Sequence, residues 1–360
     1  MMGIADKDGD ESREEKVEII SRREFMKKAG LVTGVTLLGA SAVTGLEKAL
    51  IRGSYLVWAA DLRPDLVVAQ NGSPKQLLYA ALTPLGGMER FVKPGQRVVL
   101  KPNIGWARTP EQAGCTNPDL VAAVIKACYD AGAREVVLWD HTSDNYQFAF
   151  TLSKIKEAAY KNGARIYSGH GENSYISVEI PRGKKLKKVK VLKDVYQAEV
   201  LINIPIAKQH YATELTLSLK NMMGAVWDMV DFHRVDLHQY IADLNTAVRP
   251  HLVILDAIRI LTTRGPKGPG KVENPNMVIA GTDPVAIDAY ATLLFKKPKA
   301  KAGSKKDVSK ELPQAYAGED LEFTDKPLRP EDVRYIKLAY EHGLGQINLS
   351  KVNIKRVSGA

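Results

Sequence analysis

The stretch that decides the fold runs from the apolar segment Arg97-Val98-Val99-Leu100, through the helical segment Pro118–Asp130, to a second apolar segment, Glu135–Trp139. A strand, a helix and another strand in this order are typical of a parallel sheet covered by helices. Three more segments are as rich in Val, Ile and Leu as strands buried on both faces should be: Val200–Ile204, Leu252–Leu255 and Met277–Ala280. The sequence therefore predicts an α/β fold with a mostly parallel or mixed sheet flanked by helices. It predicts one large domain with room for a small second lobe.

Further helices are predicted where apolar residues recur with helical spacing between capping residues and glycines. They cover Gln147–Lys161, Thr213–Gly224, Leu237–Val248, Pro284–Phe295 and Glu331–Glu341, and a final strand is predicted at Val352–Val357. Two lysine-rich stretches interrupt this pattern. Arg182–Lys193 alternates Lys with Leu and Val, which indicates an exposed hairpin, and Lys296–Lys306 indicates a solvated loop within an insertion at residues 296–330.

The first 60 residues resemble a twin-arginine export signal followed by a linker, ahead of an α/β domain at residues 61–358. Arg22 and Arg23 precede Phe25, and Ala29–Leu46 follows as 18 uncharged residues rich in small side chains. An ordinary amphipathic helix is the alternative, but the apolar stretch lacks separate polar and apolar faces. The pattern predicts the twin-arginine translocase as a partner and an extracytoplasmic location, in the periplasm or on the outer face of the membrane. The signal is either cleaved or kept as an anchor.

The net charge of +10 suits anionic ligands, anionic lipid headgroups or nucleic acid, but such a charge also serves solubility alone. Nucleic-acid binding is not expected, because the lysine-rich stretches contain no interleaved aromatic residues. Cys115 and Cys128 would be separated by about ten residues of helix, or ~15 Å, which argues against a disulfide between them. Two thiols are also too few for an ordinary four-thiolate iron–sulfur cluster.

Polar side chains gather after several predicted strands, at the edge where open α/β sheets bind ligands. Lys208 and His210 are the candidate catalytic residues, because a Lys-x-His directly after a buried strand has no obvious capping or packing duty. Lys101, Asn103, Lys220 and Asn221 are candidates for binding a cofactor or ligand. We expect all six to line one cleft whose lysines and amides suit a carboxylate, phosphate or sulfate group.

Asp256 and Asp283, at two further strand ends, each have two interpretations. Both are candidates for cofactor binding, but both also stand where an aspartate would cap the following helix, and Pro284 after Asp283 favours the cap. His210 and Asp256 are in addition candidate ligands for a metal ion.

A second group of metal-ligand residue types lies at Asp228, Asp231, His233 and His238. On one continuous helix the two histidines would point about 140° apart and could not bind the same ion. The predicted state of this group is therefore solvent exposure, unless the helix breaks between them. The loop Gly265–Lys271 has the glycine spacing of a phosphate loop but lacks the Ser or Thr that must follow its lysine.

Six short motifs, in this order along the chain, together resemble the family catalogued as domain of unknown function number 362. They are Lys101-Pro102-Asn103, Thr116-Asn117-Pro118, Lys208-Gln209-His210, Ser218-Leu219-Lys220-Asn221, Gly265-Pro266 and Gly281–Ala289. The resemblance spans about residues 65–295 and resumes at 331–357, and it implies an α/β domain. Some members of that family carry ferredoxin-type cysteine motifs, which this chain lacks.

These observations lead to two hypotheses of function. The first is an exported, cofactor-dependent or metal-dependent enzyme that acts on an anionic ligand, since export in the folded state is useful when a cofactor is inserted before translocation. The second is a non-catalytic module that binds a ligand or assists cofactor assembly.

Overall fold

The computed structural model describes residues 63–299 and 323–360. The leader and linker predicted for residues 1–60 lie outside this part of the chain, and so do residues 300–322 of the lysine-rich insertion. Across the two described ranges, no helix combines the length and the apolar composition needed to cross a membrane.

Within these ranges, 11 strands form one sheet whose main path has the order β15-β1-β12-β10-β7-β2-β3-β4. The path consists of β1 (Leu66–Gln70), β2 (Arg97–Pro102), β3 (Glu135–Asp140), β4 (Arg165–Ser168), β7 (Val200–Ile204), β10 (Leu252–Leu261), β12 (Met277–Gly281) and β15 (Ile354–Ser358). Its strands are parallel from β10 to β4 and between β1 and β15, whereas β12 is antiparallel to both of its neighbours. The mixed, mostly parallel sheet predicted from the sequence is therefore confirmed.

Shorter strands complete the described β structure. β8 (Ile206–His210), β9 (Glu214–Thr216) and β11 (Val272–Glu273) extend the main sheet beside β10. Two separate antiparallel pairs are formed by β5 (Tyr175–Glu179) with β6 (Lys188–Leu192), and by β13 (Lys296–Pro298) with β14 (Phe323–Pro327).

The α-helices between the strands cover both faces of the sheet. They are α1 (Pro74–Leu82), α2 (Pro118–Asp130), α3 (Tyr146–Leu152), α4 (Ile155–Lys161), α5 (Lys193–Tyr196), α6 (Ser218–Asn221), α7 (Met229–Val235), α8 (Leu237–Leu244), α9 (Pro284–Thr292) and α10 (Arg334–Glu341). Successive residues of one strand point to opposite faces. Accordingly, Val98 and Leu100 join the apolar core that contains α1 and α2, while Val99 joins the core that contains α8, α9 and α10.

The predicted strands are confirmed, but two predicted helices are wrong in part. Gln147–Lys161 is two helices, because the Ser153 hydroxyl hydrogen-bonds to the backbone of Phe150 and Ile155, and Lys154 adopts a positive φ of 62°. Thr213–Gly224 begins as a strand, since β9 pairs antiparallel with β8, and only Ser218–Asn221 forms an α-helical turn. The tertiary strand pairing overrides the helical spacing that the sequence showed.

Smaller corrections concern the lysine-rich stretches and the helix ends. Arg182–Lys193 is not a complete hairpin, because it holds one strand, β6, whose partner β5 lies before the stretch. Lys296 does not begin a loop, because Lys296–Pro298 is β13 and pairs with β14. The helix predicted at Leu237–Val248 ends at Leu244, and the one predicted from Glu331 begins at Arg334. Val333, which precedes the second helix, is extended, whereas Asn245 at the end of the first keeps helical dihedral angles.

Candidate functional site

β8 brings two of the predicted site residues, Lys208 and His210, into the protein interior. Pro205 separates β8 from β7, and β8 then pairs with the second half of β10 on one side and with β9 on the other. All five residues of β8 are buried, with Lys208 1 % exposed and His210 5 % exposed. Because burial of a charge is costly, the groups around these two side chains decide their protonation states.

At the end of β2, Lys101 forms a buried ion pair with Asp140, the last residue of β3. Lys101 Nζ lies 2.7 Å from Asp140 Oδ1 and donates to the carbonyl oxygen of Pro102 at 2.8 Å. Gly224 packs directly against this pair, since a β-carbon at Gly224 would overlap Asp140 Oδ1 and come within 2.7 Å of Lys101 Nζ. The charge of Lys101 is therefore neutralised inside the protein.

A network of amides connects Lys101 to Lys208. Asn103 Nδ2 donates to Asn221 Oδ1 at 2.9 Å, and Asn221 Nδ2 donates to the carbonyl oxygen of Lys101 at 3.0 Å. Lys208 Nζ donates to Asn103 Oδ1 at 3.1 Å and to the carbonyl oxygen of Gly114 at 2.6 Å. The structure thus joins four of the predicted residues, Lys101, Asn103, Lys208 and Asn221, in one hydrogen-bonded network.

Lys220 completes the cluster from the short helix α6. Asp288 fixes the start of α6, because its carboxylate accepts hydrogen bonds from the backbone N–H groups of Ser218 at 2.8 Å and Leu219 at 3.0 Å. Lys220 is 8 % exposed, and within the described chain its Nζ has one hydrogen-bonding partner, the Met223 sulfur at 3.7 Å. A thioether is a weak acceptor, so the amine is buried without an oxygen partner.

Burial changes the acidity of both amines. Desolvation lowers the pKa of Lys220 to about 7, with a further contribution from the positive charge of Lys208. Desolvation also lowers the pKa of Lys208 to about 8. Lys220 is therefore partly neutral and Lys208 mostly charged near neutral pH.

His210 lies among these positive charges. Burial lowers its pKa well below the ordinary value, and the charges of Lys220, Lys208 and two further histidines lower the pKa again. The backbone N–H of Ala212 donates to His210 Nδ1 at 3.0 Å, so the neutral ring carries its proton on Nε2. We refer to Lys101, Lys208, Lys220 and His210 as the lysine–histidine cluster.

Three buried polar atoms on β9 and α8 have no hydrogen-bond partner within the described residues: Glu214 Oε2, Thr216 Oγ1 and His238 Nδ1. Thr216 pairs in register with Lys208, and Glu214 pairs with His210. Glu214 also has a positive φ of 58°, and burial raises the pKa of its carboxyl to about 7. Unsatisfied buried polar atoms are rare in folded proteins and often mark the place of a ligand or water.

Glu214 and Thr216 were not among the candidate site residues predicted from the sequence. Their positions opposite His210 and Lys208 depend on the antiparallel pairing of β9 with β8. That pairing was not predicted, because a helix was expected over this segment. The sequence did contain one signal for this strand. Leu215 stands between two polar residues, and alternation of polar and apolar residues is typical of a strand.

Asp256 and Asp283 are engaged by backbone amides. Asp256 Oδ2 accepts from the N–H of Asn117, the residue that caps α2, at 2.7 Å, and Oδ1 accepts from the N–H of Ile258 at 3.0 Å. Asp283 caps α9 by accepting from Ala286 at 2.8 Å and also accepts from Gln346 at 2.7 Å. The cap predicted at Asp283 is therefore confirmed, whereas the cap predicted at Asp256 is wrong, because β10 continues through Asp256 to Leu261 and no helix follows it directly. The cofactor role of both aspartates stays a prediction.

The residues of the second histidine group do not lie on one continuous helix. The chain breaks at Asp236, which caps α8, so His233 lies on α7 and His238 on α8. Asp228 is occupied as the cap of α7. In the part of the chain that the structure describes, no three His, Cys, Asp or Glu side chains are placed to hold one metal ion. The metal-ligand role of His210 and Asp256 stays a prediction.

Cys115 lies beside the cluster, while Cys128 lies in the core with α2. Both thiols are free and buried. Burial raises the pKa of Cys115 to about 11, although the charge of Lys208 acts in the opposite direction. Cys115 Sγ donates to the carbonyl oxygen of Trp106 at 3.1 Å. Cys115 is accordingly a protonated thiol at neutral pH.

Comparison with known proteins identifies a family and a relative that match this chain. The model of a family described as "Domain of unknown function (DUF362)" matches residues 98–292, which contain the whole lysine–histidine cluster. A thylakoid-associated protein of Synechocystis sp. is 29% identical over 240 residues, which cover 62% of this chain and 70% of that protein.

Two solved structures show weaker likeness. The lactate racemase apoprotein of Thermoanaerobacterium thermosaccharolyticum aligns with a TM-score of 0.39 at 11% identity, over 60% of this chain and 54% of that one. A Thermotoga maritima protein aligns with a TM-score of 0.33 at 12% identity, over 51% of each chain. The chain thus spans about half the length of these two structures.

Proposed function

The chain belongs to this family of unknown function, and we propose that it is an exported protein that binds a small anionic ligand at the lysine–histidine cluster and uses His210 for proton transfer. One observation carries the proposal: the amine of Lys220 is buried, feels the positive charge of Lys208, and has only a thioether as a hydrogen-bonding partner among the described residues. An anionic oxygen would supply both the missing acceptor and the missing opposite charge.

The free energy needed to bury the two amines favours a role in ligand binding over a purely structural role. Burial of an ammonium group without hydrogen-bond acceptors costs several kcal/mol. A folded protein retains such a group only where it serves a function. Lys208 uses two of its three N–H donors, on Asn103 Oδ1 and Gly114 O, so one donor remains for a ligand. The unsatisfied hydroxyl of Thr216, opposite Lys208 in the strand pairing, adds a further hydrogen-bonding group.

His210 favours an enzyme over a binding module. Its ring is neutral at physiological pH and is oriented by the Ala212 N–H, which leaves an Nε2–H as a donor within a group of charged amines. A neutral, oriented imidazole is the form that exchanges protons with a bound ligand. The non-catalytic module remains the second candidate, because anion binding by the lysines does not itself require a reaction.

The proposed export rests on the twin-arginine pattern at Arg22 and Arg23. The Synechocystis relative is named for its association with thylakoids, which is compatible with work at or beyond a membrane. The partners in this proposal are the twin-arginine translocase and the anionic ligand.

Titration calorimetry with acetate and with sulfate tests the anion site on the purified full chain. We expect binding of at least one of the two anions, and Lys220→Met should weaken that binding on the order of tenfold or more. Lys126→Met is the matched control, because Lys126 is an exposed lysine that forms an ion pair with the exposed Asp130. Equal affinities in the two variants would contradict the proposal.

His210→Ala then separates the two candidate functions. In an enzyme the variant should lose turnover of the ligand while ligand binding persists, whereas in a binding module it should change affinity alone. Metal content of the purified wild type and variant, measured by elemental analysis, tests the metal-ligand role predicted for His210.

A further inference from the structure

We propose that Lys220 forms an imine with the carbonyl carbon of a 2-oxo acid whose carboxylate is held by Lys208. The inference rests on the proposed anion site and assigns different tasks to its two buried amines. It names a substrate class, small acids that carry a carbonyl next to the carboxylate.

The first support is the fixed backbone from which the Lys220 side chain extends. Asp288 fixes the first two backbone N–H groups of α6, and Asn245 Nδ2 donates to the carbonyl oxygen of Leu219 at 3.0 Å. Lys220 therefore starts from a backbone that is held from two sides. A nucleophile gains most from such placement, because the entropy of positioning is lost during folding rather than during the reaction.

The second support is the difference between the partners of the two amines. Lys208 Nζ is anchored by the Asn103 side chain and the Gly114 carbonyl, which suits a group that holds a ligand in one orientation. Lys220 Nζ has only the Met223 sulfur within the described residues, so nothing strong must be broken before its nitrogen forms a covalent bond.

The third support is the protonation state that this environment sets. Only a neutral amine attacks a carbonyl, and lysines become nucleophiles when burial or a neighbouring cation lowers their pKa. Both causes act on Lys220, where desolvation comes first and the charge of Lys208 second. Lys101 differs from Lys220 in its contacts, because its amine forms an ion pair with Asp140.

The chemical step balances without an oxidant or a reductant. The Lys220 nitrogen adds to the carbonyl carbon, and the carbonyl oxygen takes up protons and leaves as water. In total, one neutral amine, one carbonyl compound and one proton from solvent give one protonated imine and one water. The His210 Nε2–H can donate a hydrogen bond to the oxygen that leaves, while the two protons of the departing water come from the amine and from solvent.

Borohydride trapping with glyoxylate tests the imine on the purified full chain. The protein is incubated with glyoxylate at about pH 8, where Lys220 is mostly neutral and ordinary lysines are charged, and is then reduced and digested. Peptide mass spectrometry should show the adduct on Lys220 forming on the order of tenfold faster than on exposed lysines such as Lys126. Glycolate, which has the same carboxylate without the carbonyl, should slow the labelling of Lys220 and leave Lys126 unaffected.

Variants and calorimetry separate this inference from the anion site itself. Lys208→Met should slow the labelling of Lys220 by reducing affinity for the carboxylate, and circular dichroism establishes that the variant is folded. Glycolate binding by calorimetry reports the anion site alone. If glycolate binds but Lys220 is labelled no faster than Lys126, the imine is overturned and the anion site stands. If glycolate, acetate and sulfate all fail to bind, both are overturned.

Discussion

Lys220→Met replaces a buried amine with an apolar side chain of similar length, and the structure predicts that this change stabilises the protein. The pKa of Lys220 falls from 10.5 to about 7 on folding, chiefly because burial removes the amine from water. One pKa unit corresponds to about 1.4 kcal/mol, so the protonated amine opposes folding by roughly 4 kcal/mol at neutral pH. Removing the amine should therefore raise the free energy of unfolding by much of this amount, reduced by any loss of packing against Met223.

The sign of the pH dependence follows from the same pKa. The folded-state value lies below the unfolded value, so the unfolded chain binds the additional proton as pH falls from about 10.5 to about 7. The wild type therefore loses stability through this window, and the Lys220→Met variant does not share that loss. The difference between the two proteins should be about 4 kcal/mol at pH 7 and about 2 kcal/mol at pH 9.

Urea denaturation at both pH values, followed by circular dichroism, measures this difference. Lys126→Met is the control, and its free energy of unfolding should differ little from that of the wild type, because exposed ion pairs contribute little. A Lys220→Met variant that is less stable than the wild type by the same amount at both pH values would refute the reasoning. Such a result would mean that the amine has compensating partners in solution.

Three further predictions concern the surroundings of the site and the leader. Gly224→Ala should lower the free energy of unfolding in urea by about 1–3 kcal/mol, because its β-carbon would overlap the buried ion pair, and unchanged stability would show that the pair can move aside. Cys115→Ser and Cys128→Ala should each cost less than about 2 kcal/mol in thermal melts, because both thiols are free, so collapse of either variant would contradict that state. Arg22→Lys combined with Arg23→Lys should leave a folded, protease-resistant domain in the cytoplasm after cell fractionation, since the pair is read by a receptor, and continued export would count against the signal.

The sheet could be predicted because its strands are signalled locally. Val200–Ile204 has the predicted bounds, and Arg97–Leu100 is longer by only two residues, since an apolar run between turn residues is sufficient to define a buried strand. The proximity of several candidate residues could be predicted for a related reason. Lys101, Asn103 and Lys208 come at or beyond the ends of such strands, and parallel strands bring their carboxyl ends to one edge.

The remaining features depend on contacts between distant parts of the chain. Glu214 and Thr216 face β8 only because β9 pairs with it, and the spacing of apolar residues alone favoured a helix there. That Lys220 has no oxygen partner in residues 63–299 and 323–360 is a property of the packed interior that no local pattern reveals. The break before α8 had a local signal, because Asp236 followed three residues later by Gln239 is typical of a helix start.

Proton uptake on anion binding tests the central claim, a ligand placed against the Lys220 amine, most directly. Acetate is titrated into the full chain at about pH 8 in buffers of different ionisation enthalpy, and the slope of binding enthalpy against ionisation enthalpy gives the protons taken up. An anion beside Lys220 raises the pKa of its amine, so the account predicts uptake of a substantial fraction of a proton in the wild type and in Lys126→Met, and a clearly smaller uptake in Lys220→Met, where Lys208 with a pKa of about 8 still contributes. Acetate binding whose enthalpy is independent of the buffer, or equal uptake in Lys220→Met, would contradict the claim.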